Sequence, residues 1–273
     1  MKILVTVKRI PDPDENLKIA GGAIDTSSSK WVPNAFDEYA VETALRLAEN
    51  VSDKKARLAE VVVLSICPKG QRQHITQFLA MGADRGIVVE ADDTAMDSQT
   101  VAKLIAAVFK KEGCDLLIAG KLSQDTESNE VAQRVAGLLD LPQAAFAATL
   151  RWDSAAGSLS VAREVDDGVE TKNLPLPAVI SVDLRIVLPT SVHNGASPDD
   201  HKYQEGARLA SLRGITMAKR KKVDAYSPAD LGVEPTAKLR YAEITPPPAR
   251  AAGQIVDSAQ ALVDKLASEA KVL

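Results

Sequence analysis

A polar segment, GKLSQDTESNEVAQ at residues 120–133, gathers the side chains best suited to bind a ligand. It follows an apolar run and enters a predicted helix near Ser128 and Asn129. The first turn of a helix offers unpaired backbone N–H groups and the positive end of the helix dipole, which together suit a phosphate. The sequence contains no G-x-G-x-x-G and no Walker lysine motif. The segment therefore indicates a nucleotide site of another kind, with an ordinary strand-to-helix loop as the alternative.

Three other segments are expected to meet this loop, at residues 6–9, 34–37 and 65–68. Each follows or precedes a predicted strand end. In an open parallel sheet, ligands bind outside the carboxyl ends of the strands, near the point where the strand order reverses. Thr6 is small and stands at such an end, so an adenine or ribose could approach the backbone there.

No catalytic constellation is predicted among the histidines. His74 lies on a predicted helix, where we expect it to be half exposed. His193 and His201 share a polar loop with Asp199 and Asp200, but their spacing matches no known metal-ligand pattern. We therefore predict no metal site.

The remaining reactive side chains have simpler interpretations than catalysis. Cys67 follows a predicted strand with no histidine beside it in the sequence, so packing is favoured over a nucleophilic role. Glu164 and Asp166 flank a turn, which favours a solvated hairpin edge or a salt bridge over an acid–base pair. No residue is assigned a catalytic role.

The elements that position these segments alternate between strand and helix. Apolar runs predict strands at residues 2–7, 61–66, 86–90 and 115–119, and helical spacing predicts helices after Asn34 and at 71–81, 97–112 and 128–139. Residues 9–34 are predicted to form a long loop with a small hairpin at Gly21-Gly22. This order indicates a parallel sheet flanked by helices, an α/β fold of the adenine-nucleotide-binding type.

The pattern changes after Pro142. Strands are predicted at residues 145–152, 159–165 and 178–182, and we expect antiparallel strands added to the sheet. Residues 188–212 are predicted to be an exposed loop, and the basic run at 219–222 is a solvated face or a docking surface. We assign residues 1–225 to one α/β domain. Residues 226–273 form an extended C-terminal arm with a short amphipathic helix at 257–271.

Composition excludes several classes of protein. A formal net charge of −4 disfavours nucleic acid as the main partner, because phosphate binding needs a basic face. The two cysteines are far apart in sequence, which indicates neither a disulfide framework nor a zinc site. No apolar run is long enough to span a bilayer. We expect a cytoplasmic protein that does not insert into membranes.

Taken together, several segments resemble the beta subunits of electron transfer flavoproteins along the whole chain. The resembling segments are VTVKR at 5–9, NAFDEYAVETALRL at 34–47, LAMGADRGIVVE at 79–90, GKLSQDTESNEVAQ at 120–133, LPQAAFA at 141–147, AREVDDGVET at 162–171, LPAVISVDLR at 176–185, ASLRGITMAKRKK at 210–222 and AGQIVDSAQALVDKL at 252–266. No single segment identifies the family. Their order and their coverage of the chain carry the resemblance.

The resemblance implies a subunit that pairs with an alpha subunit, shares its FAD and buries an AMP without a redox role. The AMP contacts would fall on Thr6, Asn34, Ala35, Phe36, Asp37, Ile66, Leu122, Ser123, Gln124, Asp125, Thr126, Glu127, Ser128, Asn129, Glu130, Val131, Ala132 and Gln133. Leu212 matches the leucine of the family's partner-recognition loop, and Glu164 matches an acid that steers the mobile flavin domain. The C-terminal arm would wrap the alpha subunit.

The electron donors implied are acyl-CoA or related dehydrogenases, and the acceptor is a membrane quinone oxidoreductase. An alternative within the family is an electron-bifurcating subunit, in which a second FAD replaces AMP and NADH is the donor. The sequence Ile10-Pro11-Asp12 resembles that branch, whereas Ser128-Asn129 resembles the AMP-binding branch. A stand-alone adenine-nucleotide-binding or hydrolysing protein is the alternative from another class.

The chain also departs from the family pattern. Asp125-Thr126-Glu127 stands where a run of aspartates is usual, and Pro13 stands where some members have a tyrosine near the flavin. Lys172 occupies a position that is normally apolar. Residues 188–207 form an insert in the recognition loop, and this insert could change how Leu212 is presented.

Overall fold

The computed structural model describes residues 1–53, 56–239, 241–250 and 252–273. Its strands are β1 (Lys2–Thr6), β2 (Arg9–Pro11), β3 (Lys18–Ala20), β4 (Ala23–Asp25), β5 (Trp31–Pro33), β6 (Glu60–Cys67), β7 (Arg85–Glu90), β8 (Leu116–Gly120), β9 (Gln143–Ala147), β10 (Thr149–Asp153), β11 (Ser158–Val165), β12 (Gly168–Pro175), β13 (Ala178–Val182), β14 (Val192–His193) and β15 (Val223–Tyr226). Its α-helices are α1 (Ala35–Ala48), α2 (Gln73–Met81), α3 (Ser98–Glu112), α4 (Val131–Leu139), α5 (Leu212–Ala218) and α6 (Ala259–Lys265).

The main sheet has seven strands in the order β15-β7-β6-β1-β8-β13-β9. Every neighbouring pair in it is parallel. The central strands are continuous apolar runs because helices cover both faces, so side chains on either side of a strand are buried. The predicted α/β class, with its helix-flanked parallel sheet, is confirmed.

Two apolar cores lie on the two faces of this sheet. Helices α1 and α2 bury Leu45 and Phe78 on one face, while α3 and α4 bury Leu104 and Val135 on the other. The ends of helix α3 are set by capping residues. At its start, the Asp97 carboxylate accepts a hydrogen bond from the Thr100 N–H. A glycine in the left-handed conformation then ends the helix.

The long predicted loop at residues 9–34 contains more structure than its sequence indicated. Strands β3 and β4 form the predicted hairpin, with Gly21 and Gly22 at φ 60° and 77°. Strands β2 and β5 form a second antiparallel pair. The Gly22 carbonyl accepts a 2.7 Å hydrogen bond from the N–H of Ile244, so the C-terminal arm contacts this hairpin.

The region after Pro142 differs from the prediction. The single strand expected at 145–152 is two strands, β9 and β10, separated at Ala148. Phe146 has φ 60°, a left-handed backbone that bends the chain out of the main sheet. The antiparallel strands β10, β11 and β12 therefore form a second sheet instead of extending the first one. Strand β14 joins it parallel to β10, in the order β12-β11-β10-β14.

Strands β12 and β15 were not predicted from the sequence, whereas the C-terminal helix was. Strand β12 is polar and largely exposed, so it lacks an apolar pattern. Strand β15 directly follows the basic run and adds a parallel edge to β7. The C-terminal helix spans α6 and continues as a π-helical turn at Leu266–Ala270, within the predicted range. The segment at 188–212 is exposed only in part, because Ser191, Val192 and Asn194 are buried.

Candidate nucleotide site and partner surface

The strand order reverses at β1, which pairs with β6 on one side and β8 on the other. The chain runs from β1 to β6 and β7, then crosses to β8. Such a reversal leaves a crevice outside the carboxyl ends of the two central strands. Thr6 ends β1 and Gly120 ends β8, while Ile66 lies near the end of β6 and is half-buried. The structure therefore brings the four predicted segments to one edge of the sheet.

Two of these loops are joined directly by side-chain amides. Asn34 precedes α1, and its Nδ2 donates to the Leu122 carbonyl oxygen at 2.9 Å. Its Oδ1 accepts a hydrogen bond from the Gln124 N–H at 3.2 Å. In return, Gln124 Oε1 accepts from the Ala35 N–H at 3.0 Å. Because Asn34 is itself buried, this brace holds the start of α1 against the loop after β8.

Asp37 lies beneath this brace and is buried. Its carboxylate accepts a 2.7 Å hydrogen bond from the Lys8 N–H. Burial raises the pKa of Asp37 to about 7, although the hydrogen bonds from Lys8 and Asn34 act to lower it. The side chain of Lys8 leaves in the other direction and donates to both carboxylate oxygens of Asp125 at 2.8 Å.

Gly120 permits the close approach of these segments. A Cβ at this position would lie 2.8 Å from the Cβ of Phe36 and 2.5 Å from a carboxylate oxygen of Asp37. Any other residue would push the start of α1 away from β8. Sequence analysis identified Gly120 only as the end of a strand. Its position directly before a polar loop is the signal that could have identified it.

Helix α4 begins at Val131, so the predicted start near Ser128 and Asn129 was wrong. Glu127 has φ 52°, in the left-handed region, which a right-handed helix cannot include. The Ser123 N–H donates to the Ser128 carbonyl at 3.1 Å and closes a turn before the helix. The N–H groups of the first turn therefore belong to Val131 and the residues after it.

Gln133 supplies a direct sign of a missing polar partner. Its Oε1 is buried and has no hydrogen-bond partner within the described ranges. A buried acceptor without a donor is costly, by about 1–3 kcal/mol. A ligand bearing N–H or O–H groups would satisfy this oxygen, and both adenine and ribose carry such groups. The site residues therefore fit a nucleotide.

The cations around this edge are already engaged by acids. Besides Lys8 with Asp125, Arg134 Nη2 lies 2.6 Å from Glu130, and Lys121 Nζ lies 2.7 Å from Asp183. A phosphate here would depend on backbone N–H groups at the start of α4 and on hydroxyls such as Ser123 and Thr126. The hydroxyl oxygens of Ser123 and Thr126 are 2.8 Å apart.

A cavity of about 290 Å³ opens next to the loop after β8. Leu122 and Asn129 line it from the loop side, and Phe146 lines it from β9. Glu164 faces it from β11 and forms a 2.6 Å ion pair with Arg185, both side chains being about half exposed. Glu164 is therefore accessible to solvent beside the candidate nucleotide loop, although it belongs to a strand of the second sheet.

Leu212 is the first residue of α5 and is 87% exposed. Leu209, which sequence analysis did not single out, is 93% exposed. The stretch 209–218, called the docking segment below, thus projects two almost fully exposed leucines into solvent, and its Ile215 and Met217 are partly exposed as well. Isolated apolar residues on a surface need no explanation, but two leucines three positions apart and exposed to this degree make this stretch a candidate contact surface.

The other titratable candidates have structural roles. Burial raises the pKa of the Cys67 thiol to about 11, so it is protonated at neutral pH. His74 Nε2 lies 2.6 Å from Ser65 Oγ, and burial lowers its pKa. Within the described ranges, no group of His, Cys, Asp and Glu side chains could hold a metal ion. None of the helices described there is long and apolar enough to cross a membrane.

Comparison with known proteins agrees with this geometry. Residues 21–231 match the model of the electron transfer flavoprotein domain. The chain is 38% identical to the electron transfer flavoprotein subunit beta of Bradyrhizobium diazoefficiens, with 100% of both chains covered. It is 37% identical to the human subunit beta, with 97% of this chain and 96% of the human one covered. It is 34% identical to the Dictyostelium discoideum subunit beta, with 100% and 99% covered.

These matches extend over both the parallel sheet and the partner surface. The domain match alone covers the loop after β8, the second sheet and the docking segment. The chain belongs to the family of electron transfer flavoprotein beta subunits.

Proposed function

We propose that this chain is the beta subunit of a heterodimeric electron carrier, with FAD shared with an alpha subunit and AMP bound in this subunit. Family membership supports the alpha subunit and the association with flavin. The subunit catalyses no reaction of its own. It binds, orients and docks, and FAD supplies the one- or two-electron chemistry when it is bound.

The observation that carries the AMP assignment is the buried, unpartnered Oε1 of Gln133, on the helix that follows the loop braced by Asn34 and Gln124. The brace fixes two loops at the crevice where an α/β sheet binds its ligands. A donor group on a bound ligand would satisfy this acceptor. An adenosine group supplies that donor, and the start of α4 suits its phosphate.

The cavity beside Glu164 supports a role in placing the flavin domain. Glu164 and Arg185 present opposite charges at its rim, about half exposed. A charge partner on the alpha subunit could replace either member of this pair. Such exchange of rim charges orients an approaching domain without adding much to its affinity.

Leu212 supports docking with a dehydrogenase, as an anchor for an apolar pocket. Acyl-CoA or related dehydrogenases would donate electrons, and a quinone oxidoreductase would accept them. A small apolar anchor inside a charged rim gives a weak, short-lived complex, which suits a carrier that must change partners.

The test is to co-express this chain with its alpha subunit, release the bound small molecules with acid and quantify them. One FAD and one AMP per heterodimer are expected. Two FAD and no AMP would contradict the proposal and favour the bifurcating alternative, with NADH as donor. A stable single chain that binds or hydrolyses adenine nucleotides without a partner would favour the stand-alone alternative.

A further inference from the structure

A single buried arginine ties the insert at residues 188–207 to helix α1. Arg46 is fully buried, and its Nε donates to Glu42 at 2.8 Å. Its two terminal nitrogens donate at 2.8–3.1 Å to backbone carbonyls from both ends of the insert, those of Val187, Leu188, Gln204 and Gly206. One guanidinium therefore closes the insert into a loop with a fixed base.

The middle of the insert is also attached to α1. Asn194 is buried, and its Nδ2 donates to the carbonyl oxygens of Arg46 and Glu49 at 2.8 and 2.5 Å. The Tyr203 hydroxyl donates to the Arg46 carbonyl at 3.1 Å, and its ring lies 4.9 Å from the Arg46 guanidinium carbon. The insert thus satisfies carbonyl groups at the end of α1, which no helical N–H could reach.

Arg208 follows the insert and ends this attachment. Its Nε donates to Glu42 at 2.6 Å, and its terminal nitrogens contact both Glu42 and Glu49. The Glu42 carboxylate, only 3% exposed, is thereby shared between Arg46 and Arg208. Such charge-assisted, multiply bonded pairs fix geometry more tightly than single hydrogen bonds. Leu209, the next residue, is free of this cluster and exposed.

The far end of the docking segment is held by α2. A Cβ on Gly214 would collide with the carbonyl oxygen of Ala80, so α5 lies directly against the end of α2. Lys221 Nζ donates to the carbonyl oxygens of Leu79 and Ala83 at 2.9 and 2.6 Å. Residues 209–213 therefore form a short bridge between two fixed points, and Leu209 and Leu212 project from it.

We propose that Arg208 is a positioning residue, and that its cluster with Glu42, Arg46 and Glu49 sets the direction in which Leu209 and Leu212 meet a partner dehydrogenase. The inference rests on the proposed docking role of Leu212. It also assigns a role to the insert, which carries the fixed base of the docking segment. The side chain of Arg208 bonds to Glu42 and Glu49, which are not residues of the candidate nucleotide site.

The test compares Arg208→Gln, Arg208→Lys and Glu49→Gln in the heterodimer with the alpha subunit. Arg72→Gln is the matched control, because it removes the same charge from an exposed residue outside the cluster. Leu212→Ala reports the docking role separately. Two quantities are measured: amide hydrogen exchange of residues 209–213, and the KM and kcat for the heterodimer with a purified acyl-CoA dehydrogenase reduced by its acyl-CoA substrate.

For Arg208→Gln we expect faster exchange at residues 209–213 and a KM raised about tenfold, because the charge-assisted hydrogen bonds that hold the start of the docking segment are lost. FAD content and kcat are expected to be unchanged. Arg208→Lys should recover part of the effect, because an ammonium cannot make the forked contacts. Glu49→Gln keeps the bonds to Glu42 and should show a smaller change in the same direction.

Unchanged exchange at residues 209–213 in both Arg208→Gln and Glu49→Gln would overturn the positioning role, whatever the kinetics. Faster exchange with an unchanged KM, while Leu212→Ala raises KM, would show that position does not govern docking and would also overturn it. If Leu212→Ala itself leaves KM unchanged, the docking function proposed for the segment fails, and the inference fails with it. The two failures are therefore distinguishable.

Discussion

The candidate nucleotide site and the docking segment are both loops held against α1, but by different means. At the start of α1, Asn34 and Gln124 join two loops through neutral amide hydrogen bonds, and Gly120 allows the close approach. At the end of α1, Arg46 and Arg208 hold the insert and the docking segment through buried charges. The start of this helix thus lies at the candidate nucleotide site, and its end lies at the candidate partner surface.

The difference follows from what each end must do. A ligand site is already formed by the parallel sheet, so small residues and amides are enough to complete it. The insert has little apolar surface of its own and lies far from the strand ends. A buried guanidinium with several acceptors can order such a segment. The stability of the attachment then depends strongly on every hydrogen-bond partner.

The largest expected effect is therefore at Arg46. Arg46→Met should lower the free energy of unfolding by about 3–5 kcal/mol, because it leaves carbonyls of the insert unsatisfied and removes a partner of the buried Glu42. Denaturant unfolding of the heterodimer measures this loss. Arg72→Met, at an exposed position, should change stability by no more than about 0.5 kcal/mol. A loss at Arg46 as small as at Arg72 would show that the charge cluster does not hold the insert.

At the opposite end of α1, Gly120→Ala should lower the free energy of unfolding by about 1–3 kcal/mol, because the added methyl group meets Phe36 and Asp37. The matched control is Gly137→Ala in α4, where a Cβ meets no atom within 4 Å. That control should stabilise the helix by about 0.5–1 kcal/mol. Equal effects at the two glycines would contradict the close approach described here.

The pH dependence of stability provides a third comparison. The pKa of Asp37 is about 7 in the folded chain against 3.8 for the unperturbed carboxyl. Between these two values the folded state holds a proton that the unfolded state has lost. Asp37 therefore contributes stability that is fully present below pH 3.8 and is lost as the pH rises through about 7. The slope should reach about 1.4 kcal/mol per pH unit. In Asp37→Asn this pH-dependent component should vanish. Unfolding curves of the variant at several pH values measure it, and a slope that persists would contradict the assignment to Asp37.

The smallest expected effect concerns Gln133 Oε1, the buried acceptor without a partner. Gln133→Met keeps the length of the side chain but removes Oε1, and we expect AMP affinity to fall about fivefold, as for the loss of about 1 kcal/mol. Calorimetric titration of AMP into nucleotide-depleted heterodimer measures the change. Gln143→Met, at the exposed first residue of β9, is the control. Unaltered affinity in Gln133→Met would remove this residue from the AMP site.

The two regions were not equally predictable from sequence. The parallel sheet and the four segments at its edge follow from apolar periodicity and strand order, which are local signals. The start of α4 was misplaced because Ser128 and Asn129 resemble a helix cap, whereas Glu127 takes a left-handed conformation and closes a turn first. A backbone conformation of this kind has no reliable sequence signal in a non-glycine residue.

The charge cluster could not have been predicted at all. Arg46 sits in a helical pattern where an arginine normally faces solvent, and its acceptors are backbone carbonyls about 141–160 positions away. Arg208 pairs with Glu42 across 166 positions. Only the fold brings these residues together. The same holds for the break at Ala148, which depends on where β9 leaves the main sheet.

The contacts of Arg46 have a consequence for how this surface can diverge among species. The guanidinium binds main-chain oxygens of the insert, which every amino acid provides. Most side chains of the insert can therefore be replaced without loss of attachment, provided that its length and path are kept. Changes among these side chains can thus alter the surface around the two exposed leucines while the main-chain attachment to Arg46 is kept.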